Sequence, residues 1–479
     1  MTHELTTPPF PENRADHHEA EALRGLIGNR IHLPGDPGYD AARLPWNAAV
    51  DQRPAAVAVP RTSHEVTTVV RMAAELGLRV AAQSTGHNAR PLAEQGLDDV
   101  VLLRTCAMGA VTADPTRGVV RVEGGALWEP AVDAAAVHGH AVLHGSSPDV
   151  GIAGYSLGGG IGWYARKLGL ATNSLTAAEI VIADGSLVRA TARENVDLFW
   201  ALRGGGGSFG VVTALEFEMF PIETAYAGFL MWNLSDLEPV LREWAAWAPG
   251  APDEITTSIR AMRMPPLPEL PDFLRGRAVA IVDGAVLGSD ERGEKLLAGL
   301  RALKPELDTF ARVPAKSLVR LHMDPEGGTP AVSDSAMLGS FPDAAVDAFL
   351  TNAGPDAQTS LLLAELRQLG GALGRPDAGG GVLTHLDAEF VSLGLAVAAT
   401  PEMAAQGQTD ARLLTDALRP VTNGRQYLNF AENPVDVSAG YRPQVWTQLK
   451  AVRSAVDPHG LFVANHPVPR LWENGRPTR

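Results

Sequence analysis

Apolar residues fall into short blocks separated by glycine, proline and polar clusters, and the texture of those blocks changes twice along the chain. Residues 1–45 are polar and rich in proline and histidine, with one short helical stretch near 19–28, and read as an arm laid over the body. From Asp51 onward, AAVAVP (55–60), Leu78–Ala82, VVLL (100–103) and VVRVEGG (119–125) predict short strands. Thr62 and Glu65 form a capping-box pattern opening a helix through Leu76, and a second helix is expected from about Leu127 to Val137. EIVIADGSLVRAT (179–191) predicts a hairpin turning at Asp184-Gly185, ENVDLFWAL (194–202) a helix, and VVTALEFEMF (211–220) a long closing strand.

After Pro221 the blocks lengthen. Strands are predicted at 255–263, 278–288, 359–368 and 383–398, with helices at 235–247, 290–302, 343–351 and 410–418. Long strands with few parallel crossover units suggest an antiparallel sheet covered by helices. MPPLPELPD (264–272) and DAGGG (377–381) read as loops. Beyond about residue 423 come a predicted strand, RQYLNF (425–430), a helix over 443–456, and the segment DPHGLFVANHPVP (457–469).

At 479 residues the chain exceeds what one core usually supports, so two lobes are expected. The net charge, 40 − 55 = −15, argues against nucleic acid or an anionic membrane as a partner. Cys106 is the single cysteine, which excludes an intrachain disulfide. No run of 18 apolar residues occurs and the first residues lack an apolar core of signal-peptide length, so a cytoplasmic location is the default expectation. Oligomeric state stays open.

Two segments carry candidate chemistry. In QSTGHNA (83–89), Ser84, Thr85, Gly86 and Asn88 permit a turn whose backbone N–H groups converge on a phosphate, and the same turn presents His87. The bland alternative is a surface turn that happens to hold a histidine. GYSLGGGIG (154–162) would let backbone approach a planar ring or a phosphate, yet it does not fit the dinucleotide fingerprint G-x-G-x-x-G. His138, His140 and His144 lack a nearby carboxylate or cysteine ligand set, which favours structural roles over a metal site. Neither a G-x-S-x-G elbow nor a P-loop is present, leaving hydrolase and NTPase readings without support.

Taken in order, QSTGHNA, GSSPDVGIAGYSLGGGIG (145–162), EIVIADGSLV (179–188) and DLFWALRGGGGSFGVVTALEF (197–217) resemble the flavin-linked oxidases of the vanillyl-alcohol oxidase/p-cresol methylhydroxylase (PCMH-type) superfamily, especially the berberine-bridge-enzyme-like branch. The resemblance covers about residues 40–222 and, more loosely, 360–470, where AELRQLGGALGRP (364–376) is similar to a substrate-domain strand and turn. It implies an α+β fold: the arm (1–45), a PCMH-type FAD-binding domain of two α+β subdomains (46–222), a substrate domain with an antiparallel sheet covered by helices (223–422), and a C-terminal segment returning to the FAD-binding domain (423–479). It implies FAD as cofactor, contacted by Ser84, Thr85, Gly86, His87, Asn88, Ala89, Ser147, Val150, Gly151, Gly154, Tyr155, Gly158, Gly159, Gly160, Gly162, Val181, Asn429 and Asn465.

The same resemblance assigns roles. His87 would carry a covalent link to the flavin 8α-methyl carbon if the flavin is attached; Ser147 stands where doubly linked members have a cysteine, and serine cannot form the thioether. Val150 matches a position lining the flavin face where oxygen reacts, and a small valine there implies an oxidase. Tyr427-Leu428-Asn429-Phe430 matches the family's Y-x-N-Y segment with phenylalanine in place of the second tyrosine. Tyr427 is thus expected in the substrate site as a candidate base, and strand alternation would set it on the face opposite Phe430. His385 is a second candidate for the substrate pocket, with Glu389 beside it. The implied reaction moves a hydride from an alcohol, sugar or secondary-metabolite donor to flavin N5 and then electrons to molecular oxygen, releasing H2O2. A flavin-dependent tailoring enzyme of natural products and a non-catalytic binding relic of the fold remain as alternatives.

Overall fold

The two strand textures sort into three large sheets, with a two-stranded ribbon of Trp472–Glu473 and Arg476–Pro477 besides, in the computed structural model, which describes residues 18–268, 270–473 and 476–477. The part of the expected arm before residue 18 lies outside the described residues. The rest of it is built into the first lobe. Ile31–His32 (β1) is an edge strand on Ala56–Ala58 (β2), and Leu23, Ile27 and Leu33 are buried in the core beneath.

Arg79–Gln83 (β3) and Val100–Arg104 (β4) complete this first sheet in the order β1-β2-β4-β3, the last three strands parallel. A second sheet holds Val111–Asp114 (β5), Val119–Glu123 (β6), Leu175–Val181 (β7), Leu187–Thr191 (β8) and Val211–Glu218 (β9), all antiparallel, in the order β5-β6-β9-β7-β8. The helix Ser63–Glu75 is shared between the two. Val66, Val69, Val70 and Ala73, at helical spacing, meet Val80 and Val101 of the first sheet and Val181 and Val211 of the second. Its start is capped as the sequence predicts: Thr62 Oγ1 accepts from the Glu65 N–H at 3.2 Å. The Glu65 carboxylate reaches back one residue further than a capping box requires, to the Arg61 N–H.

The second lobe is one antiparallel sheet. It contains Thr224–Asn233 (β10), Ile255–Arg263 (β11), Ala278–Val286 (β12), Leu307–Asp308 (β13), Ala311–Pro314 (β14), Ala331–Leu338 (β15), Leu363–Gln368 (β16) and Phe390–Val397 (β17). The order is β13-β10-β12-β11-β16-β17-β15, with β14 also on β10. Helices Leu237–Trp247, Asp343–Ala353 and Pro401–Ala417 cover one face, where Leu241, Trp244, Phe349 and Leu414 meet Ile259, Ala364 and Leu366. Because side chains alternate along a strand, Leu363, Glu365 and Arg367 point the other way, toward the first lobe.

The chain then returns to the first lobe. Trp446, Leu449 and Val452 of the helix Pro443–Val456 pack with Leu198 and Leu202. Asp457, fully buried, accepts from the N–H groups of Leu461 and Phe462 at 2.8 Å each, and Leu461–Val463 runs beside Val80. The α+β class and the helix-covered antiparallel sheet are as the sequence implies. Several elements differ. The helix expected near 19–28 is only His18–Glu21, the strand expected at 383–398 forms only over Phe390–Val397, and β10 and β15 form where no strand is predicted. RQYLNF is no strand but a loop ending in a 3-10 turn, Leu428–Phe430.

Candidate functional site

A cavity of about 440 Å³ lies between the free face of the large sheet and the first lobe. The turn after β3 forms one end of it. Gly86 adopts φ +83°, and a Cβ there would stand 2.7 Å from the Pro45 side chain, so this turn needs glycine. His87 follows directly. Its ring stacks on Trp46 with centroids 4.1 Å apart, and Nδ1 is paired with Thr85 Oγ1 at 2.9 Å. Burial pushes the imidazole down to about 4, outweighing the pull of Asp149 and Asp324, so it is neutral at pH 7. Asp149 ties this corner together. Trp46 Nε1 and the Gly327 N–H donate to its Oδ2 at 2.8 Å each, and Ser147 Oγ donates to Oδ1 at 2.9 Å.

The glycine-rich segment forms the floor, and its glycines divide into two kinds. Gly151, Gly154 and Gly158 line the cavity with Ser147, Val150 and Tyr155. A Cβ on Gly154 would meet nothing within 4 Å, whereas one on Gly151 or Gly158 would meet the side chain of Ser84 or Asn429. Gly159, Gly160 and Gly162, expected as cofactor contacts, do not line it. Their missing side chains make room for protein: a Cβ would meet Leu383 and the Tyr427 ring at Gly159, the Tyr155 ring at Gly160, and the His144 carbonyl at Gly162. Val181 also lies away from the cavity, its backbone paired with Leu187 and Val211 and its side chain in the core. Gly210, which does line the cavity, stands between, since a Cβ there would meet the Val181 carbonyl at 2.5 Å. Ala89 is buried at the start of a short helix and makes no lining contact.

The C-terminal return adds Asn429, Asn465 and His466 to the lining. Asn465 Nδ2 donates to the Asn88 carbonyl at 3.3 Å, and Asn88 Nδ2 donates to the Leu428 carbonyl at 3.1 Å. Tyr427 lies in the lining with a phenol that accepts from the Gly160 N–H at 2.9 Å and from Asn429 Nδ2 at 3.3 Å. Burial pushes that phenol up to about 12, so it stays neutral and is a poor proton acceptor. The expected strand alternation fails because the segment is a turn: the rings of Tyr427 and Phe430 touch edge to face at 5.4 Å. His385 is not in the cavity. Its Nδ1 pairs with Thr384 Oγ1 and its Nε2 with Arg442, while Glu389 is exposed.

The facing wall belongs to the second lobe. Leu363, Leu393, Leu395 and Val397 make an apolar strip, and Glu365, Arg367, His322 and Asp324 make a charged patch beside it. Arg367 Nε donates to Glu365 Oε1 at 2.6 Å, and its guanidinium lies 5.2 Å from the Phe430 ring centroid. His322 and Asp324 escaped the sequence reading because they sit in a loop without a motif. Glu365 and Arg367 left a signal, two charges two residues apart within an apolar strand.

Four buried polar atoms of the cavity residues have no hydrogen-bond partner among the described residues: Ser84 Oγ, His87 Nε2, Asn88 Oδ1 and Tyr155 OH. Buried polar atoms are rarely left unpaired, so this clustering marks a ligand-facing surface. The size suits a bound small molecule. A glycine cradle, a turn of small polar residues and a neutral imidazole with Nε2 unpartnered fit FAD.

Comparison with known proteins agrees. Residues 54–191 match the FAD binding domain family. The chain is 34% identical over 222 residues to glucooligosaccharide oxidase of Sarocladium strictum, covering 46% of this chain and 44% of that enzyme; it therefore spans under half the length of this curated relative. It is 27% identical over 468 residues to (R)-6-hydroxynicotine oxidase of Paenarthrobacter nicotinovorans, covering 92% of this chain and 96% of that one. The fold matches that of the wild-type BBE-like 1 protein of Physcomitrella patens with a TM-score of 0.80 at 21% identity, over 92% of this chain and 96% of the other.

Proposed function

We propose that the chain is a member of the PCMH-type FAD-binding superfamily in its berberine-bridge-enzyme-like branch and acts as an FAD-dependent oxidase of a small organic donor with molecular oxygen as the acceptor. The reading is supported by its FAD binding domain match and its similarity to (R)-6-hydroxynicotine oxidase and to the BBE-like fold. The observation that carries the reading is the cluster of four unpartnered polar atoms on the FAD-binding lobe, facing a second wall that is part apolar and part charged. Bound FAD supplies the two-electron chemistry, accepting a hydride from the donor and passing electrons to oxygen as H2O2.

The residues of the chain do the rest. Ser84, Asn88 and Tyr155 offer hydrogen bonds to the cofactor, and the backbone at Gly154 approaches it without a side chain between. We assign any covalent bond to the flavin to His87 Nε2, a reading supported by its neutral ring and its lack of a partner among the described residues; Ser147 supplies no second link. Val150 keeps the floor narrow-chained, which supports oxygen access. The strip of Leu363, Leu393, Leu395 and Val397 favours a donor with an apolar body, and the adjoining charges orient its polar end. The test is direct. Purified protein should be yellow, with the absorbance of one FAD per chain, and should release H2O2 from at least one donor in a panel of hydroxylated aromatics, cyclic amines and oligosaccharides. A protein that takes up no FAD on reconstitution, or holds FAD and produces no H2O2 from any of them, defeats the reading.

A further inference from the structure

We propose that His322 takes up the proton released from the donor, with Asp283 as its positioning residue; this rests on the oxidase reading above. His322 comes from the loop after β14 and lines the cavity although its side chain is almost wholly enclosed. Its Nδ1 lies 2.8 Å from Asp283 Oδ2. Asp283 is fully buried on β12, where Ser258 Oγ donates to Oδ1 at 2.5 Å and Arg260 Nη2 donates to Oδ2 at 2.6 Å. Burial would push this carboxyl up, but the Arg260 charge and the hydrogen bonds from His322 and Ser258 outweigh it and hold it below the usual carboxylate range. An ionised carboxylate only accepts hydrogen bonds, so Nδ1 must carry the proton. The lone pair is then on Nε2, the nitrogen that faces the cavity patch. Arg260 Nη1 also donates to the His322 carbonyl at 2.9 Å, so ring and backbone are fixed by the same pair of strands.

Around Nε2 the charges are arranged for both protonation states. Arg367 Nη2 lies 3.3 Å away, a donor suited to the lone pair. Glu365 Oε1 at 3.5 Å and Asp324 Oδ1 at 3.9 Å are suited to the imidazolium. These three, with Arg260 and Asp283 behind the ring, are the charged groups facing it. Tyr427, the base implied by resemblance, has its oxygen occupied by two N–H donors instead. The Nε2 lone pair faces the cavity and is held there by Arg367 Nη2, a contact that the donor's O–H or N–H would replace. The step balances: the donor O–H or N–H bond breaks and its proton goes to Nε2, the adjacent C–H bond gives its hydride to the FAD, and C=O or C=N forms. The proton leaves with the H2O2 made from oxygen and the two electrons.

The test uses the FAD-loaded full chain and 4-nitrophenol, whose O–H stands in for the donor's and whose ionisation is read from its own absorbance. Wild type is expected to bind it and to lower its apparent pKa by about one unit or more, a tenfold change in ionisation constant. His322→Gln keeps a polar side chain but loses the titratable nitrogen, and should lose that shift with FAD content and melting temperature unchanged. With any donor that yields H2O2, His322→Gln should also slow anaerobic flavin reduction by about 10²-fold or more. Asp283→Asn should bind the probe with a smaller shift; where the unpaired Arg260 unfolds that variant, Arg260→Met/Asp283→Asn replaces it. No probe binding by wild type, an equal shift in His322→Gln, or flavin reduction slowed less than about tenfold overturns the proposal. A holoenzyme that shifts the probe and makes no H2O2 defeats the oxidase reading alone, because the shift requires no turnover.

Discussion

His87 and Tyr427 show what a residue's surroundings add to its identity. Both stand out in the sequence, the first by its turn and the second by its motif. Only the structure separates a free imidazole nitrogen from an occupied phenol oxygen. His87→Ala is expected to leave a folded protein that still binds FAD through the remaining cradle, but whose flavin no longer stays with acid-precipitated protein as it does in the wild type. Flavin that washes off the wild type completely would show that His87 is a neighbour and not an attachment point. Tyr427→Phe strips the Gly160 N–H of its acceptor in a closed site, a loss of about 1–3 kcal/mol. Melting temperature should fall by several degrees, while the rate of flavin reduction changes less than about tenfold, since a phenol near 12 is not the working base. A hundredfold loss of reduction with unchanged stability would restore Tyr427 to that role. His322, by contrast, could not be singled out by sequence: it lies in a loop and its partner Asp283 is 39 residues away on β12.

Elements were legible where local signals agreed. The Thr62 cap, the 3.6-residue spacing of Val66, Val69, Val70 and Ala73, and the Asp184-Gly185 turn each specify one structure, and each forms. RQYLNF misled because its composition is strand-like while its backbone bonds go to a turn and to neighbouring loops. β10 was not anticipated, as a buried apolar run carries no alternation to read, and β15 was not because Ser333-Asp334-Ser335 interrupts its apolar residues. The glycine-rich segment was legible as a cradle but not in its division of labour. That division is testable. At Gly154, inside the helix Ile152–Leu157 and open to the cavity, alanine should raise apoprotein stability by about 0.5–1 kcal/mol and weaken FAD binding, read by melting and by FAD titration. At Gly162 a Cβ would lie 2.0 Å from the His144 carbonyl carbon's oxygen, so alanine there should lower the melting temperature of the apoprotein itself. If both variants lose FAD affinity equally with intact apoprotein stability, the division is wrong.

At the scale of the molecule, the closed interface between the lobes and the C-terminal return links stability to pH. His144 is buried with Nδ1 against the Gly145 carbonyl at 2.6 Å, and His466 is buried beside Asn88. Burial pushes both imidazoles down to about 4. The unfolded chain, titrating near 6.5, then binds more protons than the folded one between about 6.5 and 4. Their contribution is therefore complete above about pH 6.5 and is lost as pH falls toward 4, on the order of 2–4 kcal/mol for each site. Glu432 acts in the opposite direction. Burial pushes its carboxyl up to about 7, so its contribution is present below about 4.5 and lost as pH rises through 7. It lines the cavity instead of the solid core, which makes its share the smaller. The net expectation is a melting temperature that falls as pH drops from 7 to 5. Glu432→Gln removes the opposing share, so it should raise stability at pH 7.5, leave it nearly unchanged at pH 4.5, and steepen the decline between them. A Glu432→Gln curve parallel to the wild type across this range would mean that Glu432 is ionised in the folded protein, its charge met by Arg90 or by solvent in the cavity.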